Sequence, residues 1–146
     1  MIPIAADHAA VKLKAALQKA LPDYDWNDLG PMTEDRVDYP DFAEKAAKLV
    51  ASGQAKQAIL LCGSGIGMCI AANKIPGIRA AVVESVQAAK LSREHNDANV
   101  LCLGARLLDE KLAIEITKTF LTTSFEGGRH AGRIAKISAL EKGLKK

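Results

Sequence analysis

Ala58-Ile-Leu-Leu-Cys62-Gly63-Ser64-Gly65-Ile66-Gly67-Met68 is an apolar run that stops at a cysteine and breaks into three glycines at alternate positions. It reads as a strand feeding a tight turn that opens a helix. Glycine at Gly63, Gly65 and Gly67 permits a sharp turn and close backbone approach by a ligand. The segment from Ile66 to Asn73 has helical spacing and presents free N–H groups at its start. A helix start carries about half a unit of positive charge, which favours thiolate over thiol in a cysteine whose free pKa is about 8.5. A proton-abstracting Cys62 and an oxyanion cradle would then share one turn. The same residues also fit a small strand-end hydrophobe followed by an ordinary turn.

Working outward, the chain alternates between strand and helix. Ile2 to Ala6 is apolar and ends at Asp7-His8, and Val11, Leu13, Leu17, Ala20 and Leu21 then recur at helical spacing up to Pro22. Tyr24 to Leu29 is a mixed strand of edge type, followed by a long charged loop from Gly30 to Pro40 whose end, Asp38-Tyr39-Pro40, is a candidate substrate wall. A helix from Asp41 places Phe42, Ala46, Leu49 and Val50 on one face and stops at Gly53. After the Cys62 segment, Ile78 to Val83 is a fourth strand and Ser85 caps a helix ending in Arg93-Glu94-His95-Asn96-Asp97. Val100 to Leu103 is a fifth strand stopping at Gly104-Ala105-Arg106. Leu112, Ala113, Ile116 and Phe120 mark the helix after it, and a last helix carries Ile134, Ile137, Leu140 and Leu144.

Five strands alternating with helices call for a parallel sheet covered on both faces, since right-handed crossovers leave few other arrangements. The expected architecture is α/β: a Rossmann-like, doubly wound, three-layer sheet with a C-terminal helix, forming one domain over residues 1–146. Ligands of such sheets bind outside the carboxyl ends of the strands. Asp7-His8, Cys62 with its loop, Glu84-Ser85 and Arg106 therefore share one rim.

The bulk numbers narrow the function. A length of 146 residues fits one domain with a proper core, and aromatics at only 4% leave that core aliphatic, as buried parallel strands require. The net charge of +3 draws on the tail Lys142, Lys145 and Lys146 without an aromatic-interleaved basic stripe, which argues against nucleic acid. Three cysteines, Cys62, Cys69 and Cys102, without Cys-x-x-Cys spacing indicate neither a disulfide framework nor a zinc ribbon. Reduced thiols, the lack of a signal-peptide pattern and the lack of a membrane-length apolar run lead to a cytoplasmic expectation.

Gly127-Gly128-Arg129-His130-Ala131-Gly132-Arg133 opens the last helix, and Arg129 and Arg133 are four apart, so both guanidinium groups lie on one face. Paired arginines at a helix start fit a phosphate, and equally a solvated basic face. His8 and His95 fall in polar segments at element ends, where imidazole serves acid–base chemistry or simply answers the helix dipole. A metal would need His8, His95 and Cys62 without any short-range ligand pair. A dinucleotide fold would need Gly-x-Gly-x-x-Gly, which Gly63-Ser64-Gly65-Ile66-Gly67-Met68 is not.

Taken in order, Asp7-His8-Ala9, Val37-Asp38-Tyr39-Pro40, Cys62-Gly-Ser-Gly-Ile-Gly67, Ala71-Ala-Asn-Lys74 with Gly77-Ile-Arg-Ala80, His95-Asn-Asp-Ala-Asn-Val100 and Glu126-Gly-Gly-Arg-His130 make the whole chain resemble the B-type ribose-5-phosphate isomerases. That family also contains the galactose-6-phosphate and allose-6-phosphate isomerases. The resemblance implies a metal-free and cofactor-free aldose–ketose isomerase working through a cis-enediolate, with Cys62 as base and amides of Gly63, Gly65, Ile66 and Gly67 holding the enediolate oxygen. A second branch of the family has a glutamate base at the position of Met68. The resemblance further implies that Ser64, Asp7 and Asn96 contact or polarise the substrate and that His95 opens the sugar ring. His8, Arg106, Arg129 and Arg133 would surround the phosphate, and Tyr39 would form a substrate wall. It implies a homodimer, or a dimer of two such dimers, whose sites are shared between subunits. A six-carbon sugar phosphate remains an alternative substrate, and a non-catalytic sugar-phosphate-binding module is the alternative from another class.

Overall fold

The computed structural model describes residues 1–143, so Leu144, Lys145 and Lys146 of the expected last helix and basic tail lie outside the described residues. The strands are β1 (Ile2–Ala6), β2 (Trp26–Asp28), β3 (Ala58–Cys62), β4 (Ala80–Val82) and β5 (Val100–Gly104). The helices are α1 (Val11–Ala20), α2 (Tyr39–Ala51), α3 (Ile66–Ala72), α4 (Val86–Glu94), α5 (Glu110–Thr122) and α6 (Arg129–Gly143). All strand pairs are parallel, in the order β2-β1-β3-β5-β4.

The period-two alternation of the central strands divides the core into two layers. Ile59 and Leu61 of β3, with Ile4, Leu101 and Leu103, pack against Leu17 of α1, Ala89 of α4 and Ile116 and Phe120 of α5. Leu60 and Cys62, with Ala5, Val100 and Cys102, pack against Ala43, Ala46, Ala47 and Val50 of α2 and Met68 and Ala72 of α3. Every residue of β3 and β5 is buried, as both-face coverage demands. This is the Rossmann-like three-layer arrangement that the alternation predicts.

The element boundaries differ from the sequence reading in ways that have physical causes. α2 begins at Tyr39, two residues before Asp41, because Pro40 is accommodated in a first helical turn that needs no N–H from it. The buried face of α2 is mainly alanine, while Phe42 and Leu49 are only partly covered. β2 is confined to three half-buried residues at the sheet edge, where Asp28 receives the buried Lys14 ammonium. Along α6 only His130 is buried, and Ile137 and Leu140 are exposed.

This strand order positions the site. The chain steps from β1 outward to β2, then returns to the other side of β1 for β3, which opens a crevice between the carboxyl ends of β1 and β3. The later return of β5 between β3 and β4 sets Gly104 beside Cys62 in register.

Candidate active site

Cys62 ends β3 with only 4% of its surface exposed, and its sulfur accepts a hydrogen bond from the Gly65 N–H at 3.1 Å. The turn that makes this contact leaves no room for side chains. Gly65 has φ +77°, and a Cβ there would lie 2.8 Å from the Leu103 carbonyl carbon. A Cβ on Gly67 would lie 2.6 Å from the Tyr39 ring, so Tyr39 leans directly on the start of α3. The exit of β5 is lashed to the same loop: Ala105 N–H donates to the Cys62 carbonyl and Arg106 N–H to the Gly63 carbonyl, both at 2.9 Å. Asp7 is buried, its N–H donates to the Leu61 carbonyl at 3.1 Å, and its carboxylate accepts the Ala9 N–H at 2.9 Å.

These residues enclose a cavity of about 540 Å³ whose walls include Asp7, Tyr39, Cys62, Ser64 and Arg106. Gly63, Ile66 and Gly67 line it too. The structure therefore brings eight of the candidate residues together, and Gly65 supports them through its bond to the sulfur. Sequence reasoning missed Ile70 and Leu107 on the cavity wall and Gly104 beneath the Ser64 backbone. Ile70 was findable, since it stands one turn after Ile66 on the outer face of a helix whose inner face carries Met68 and Ala72. His8, next to Asp7 in the chain, is not among the lining residues, and its Nδ1 accepts the Val37 N–H at 3.3 Å. Glu84 and Ser85 follow β4 at the sheet edge, where the Ser85 hydroxyl caps α4 by accepting the Ala88 N–H at 3.0 Å.

His95, Asn96, Arg129 and Arg133 stand at the other rim. α4 runs back from the carboxyl ends of the strands, so its C-cap His95 falls near Asn99, which precedes β5 and bonds to β4's entry at Arg79. α5 returns in the same sense before α6 begins at Arg129. A five-residue strand spans about 13 Å, so Cys62 and His95 of one chain lie at opposite ends of the sheet.

The amino rim has its own construction. The Arg93 guanidinium donates to the Asp97 carboxylate at 2.8 Å and to the Thr123 carbonyl at 3.1 Å, Arg79 also reaches Asp97, and Glu126 N–H donates to the Glu94 carbonyl at 3.1 Å. This network holds the end of α4 against the loop before α6. It brings the His95 ring onto the His130 ring with centroids 4.3 Å apart and planes inclined by 16°. Glu126 Oε1 lies 3.5 Å from His95 Nε2 and 3.8 Å from His130 Nε2. Burial pushes the His130 imidazole below its usual range, aided by His95, Arg129 and Arg133 and opposed by Glu126. The donor atoms of His95, Glu126 and His130 lie within 4.8 Å of one another. The two imidazole rings meet face to face, which is the geometry of a stacked pair.

All three cysteines are unpaired. A hydrogen bond from the Cys102 thiol, helped by the Val82 backbone and opposed by burial, lowers Cys69 to about 7. Burial, reinforced by Cys69, pushes Cys102 well above the usual thiol range.

The chain belongs to the ribose/galactose isomerase family, whose model matches residues 2–137. Among its relatives, a putative sugar phosphate isomerase of Bacillus subtilis is 44% identical over 143 residues, 96% of each chain. The solved ribose-5-phosphate isomerase B of Clostridium thermocellum superposes with a TM-score of 0.95 at 46% identity over 98% of both chains. That of Mycoplasma genitalium, solved with bound ribulose-5-phosphate, does so with a TM-score of 0.92 at 44% identity over 97% of this chain and 95% of the other. Among the described residues no helix is long and apolar enough to cross a membrane.

Proposed function

We propose that this protein interconverts ribose 5-phosphate and ribulose 5-phosphate in the cytoplasm, as a homodimer that needs neither metal nor cofactor. The observation that carries the reading is the Cys62 sulfur, bonded by the Gly65 amide on the wall of a cavity shared with Asp7, Tyr39, Ser64 and Arg106. Family membership and the ribulose-5-phosphate bound to the Mycoplasma genitalium relative support the substrate.

In the proposed reaction His95 gives a proton to the ring oxygen as the C1–O4 bond breaks and the C1 hydroxyl gives up its proton, leaving the open-chain aldehyde. The Cys62 thiolate removes the proton from C2 and returns it to C1 through a cis-enediolate, while the hydroxyl proton passes from O2 to O1. Amides of the glycine loop hold the charge that develops on oxygen, with Asp7, Ser64 and Asn96 polarising the hydroxyl and carbonyl groups. Arg106, Arg129 and Arg133, with His8, take the phosphate, and Tyr39 walls the sugar chain.

The two rims of one chain are too far apart to act on one sugar phosphate. A two-fold partner completes each site by bringing His95, Asn96, Arg129 and Arg133 to the Cys62 cavity. This is supported by the exposed apolar side chains beside that cavity, Ile66, Ile70 and Leu107, and by those along α6, Ile137 and Leu140. Such exposed clusters mark surfaces that another chain covers.

Incubation with ribose 5-phosphate and, separately, allose 6-phosphate, without added metal or nucleotide, tests the reading. Formation of ribulose 5-phosphate at the higher kcat/KM is the expected result. A higher value on allose 6-phosphate would move the substrate to six carbons, and binding without turnover would make the protein a binding module.

A further inference from the structure

His130 is the one buried residue of α6, yet it supports no hydrophobic core. Its side chain is 9% exposed and its flat face is spent on His95. The pairing is long-range: thirty-five residues separate the two histidines, and the Arg93 network and the Glu126–Glu94 backbone bond bring them together. An imidazole that transfers a proton has to present one nitrogen in one direction, although rotation about its Cβ–Cγ bond is soft. His95 itself is 37% exposed, so solvent does not hold it.

We infer that His130 is a positioning residue for His95, fixing the plane of its imidazole by stacking while Glu126 faces the Nε2 edges of both rings. Burial holds the His130 pKa below its usual range, which disfavours a second positive charge beside His95. Arg129 and Arg133 flank His130 on α6, so the same turn that orients the ring-opening group also presents the phosphate-binding face. The inference rests on the reading of His95 as the ring-opening acid.

The test is a double-mutant cycle on ribose 5-phosphate turnover with His130→Ala, His95→Ala and the double variant, together with His130→Phe, which preserves a flat partner. A group displaced from its productive geometry costs up to about a hundredfold in rate. His130→Ala is expected to lower kcat about tenfold or more, with KM changed less than about threefold, and His130→Phe to restore kcat to within about threefold of the parent. In the His95→Ala background, His130→Ala should change kcat by less than about twofold, because a residue that acts through another falls silent once that other is gone. The ring-proton resonances of His95 should also lose their upfield ring-current shift in His130→Ala and keep it in His130→Phe.

Unchanged kcat in His130→Ala, or an equal loss in both backgrounds, would overturn the inference. A rise in KM alone would do the same, because it would assign His130 to the phosphate arginines. If His95→Ala left turnover intact, the ring-opening reading would fail instead, whatever His130 did. Should the His95→Ala background be too slow to compare, the phenylalanine rescue and the ring-current shift decide: loss of both in a folded protein overturns the platform.

Discussion

At the carboxyl rim the Cys62 loop is built by backbone: its sulfur is bonded by an amide, its turn requires Gly65 at φ +77°, and its floor is the chain of Leu103 and Gly104. At the amino rim His95 is held by side chains drawn from two segments far apart in the chain, Arg93 and Asp97 at the end of α4 and Glu126 and His130 at the start of α6. The first construction has no freedom to rearrange, because a Cβ at Gly65 or Gly67 meets backbone or a ring. The second is a surface assembly whose functional face, with Arg129 and Arg133, is exposed. In the shared-site account the rigid half carries the proton transfer at carbon, and the half made of long side chains meets the substrate's ring oxygen and phosphate.

The largest effect expected from this contrast is at Cys62. Cys62→Ala should lower kcat about a thousandfold, within the usual range for loss of a general base, without unfolding the protein. A melting curve alongside turnover checks both halves of that statement, and near-normal turnover would move the base to another residue.

Next comes the phosphate. Arg133 is exposed, so Arg133→Ala should leave the melting temperature unchanged. It should weaken the enzyme for ribose 5-phosphate about ten- to a hundredfold in KM, the worth of a charge-assisted hydrogen bond at about 1.5–3 kcal/mol. Affinity for unphosphorylated ribose should change little. Equal losses for both sugars would return the arginine to a supporting role.

The smallest effect separates the thiol of Cys62 from that of Cys69. With its thiol lowered to about 7, Cys69 should show a rise in thiolate absorbance and in iodoacetamide labelling as the pH passes from 6 to 8, while Cys102 stays unlabelled in the native protein. Cys69→Ala should remove that titration and keep turnover within about twofold of the parent, since Cys69 packs behind the cavity and not on its wall. A turnover loss comparable to that of Cys62→Ala would break the division between the two thiols.

The same contrast explains what was legible in the sequence. Apolar runs bounded by glycine made the strands and the Cys62 turn visible, because a fully buried parallel sheet leaves a local record in residue type. The rim shared by Asp7, Cys62 and Arg106 followed from the rule for strand ends. Edges were less legible: β2 and β4 are shorter than the stretches Tyr24 to Leu29 and Ile78 to Val83 read for them, since edge pairing and not composition decides where they stop. The partnership of His95 with His130 left no local record, because it depends on Arg93 reaching Thr123 across thirty residues. Gly104 was missed for a similar reason, since the backbone that crowds it belongs to another strand's loop.

The claim that the two rims form one site is tested most directly by mixing subunits. Cys62→Ala and His95→Ala proteins, each impaired alone, are combined in equal amounts and allowed to exchange, with mass spectrometry confirming mixed dimers. In a two-fold dimer with shared sites, a mixed pair has one site carrying both lesions and one carrying neither. Random exchange makes half the dimers mixed, so activity should rise to about a quarter of the parent enzyme's, well above the sum of the two variants. No rise after confirmed exchange would place Cys62 and His95 in the same chain's site and contradict the account.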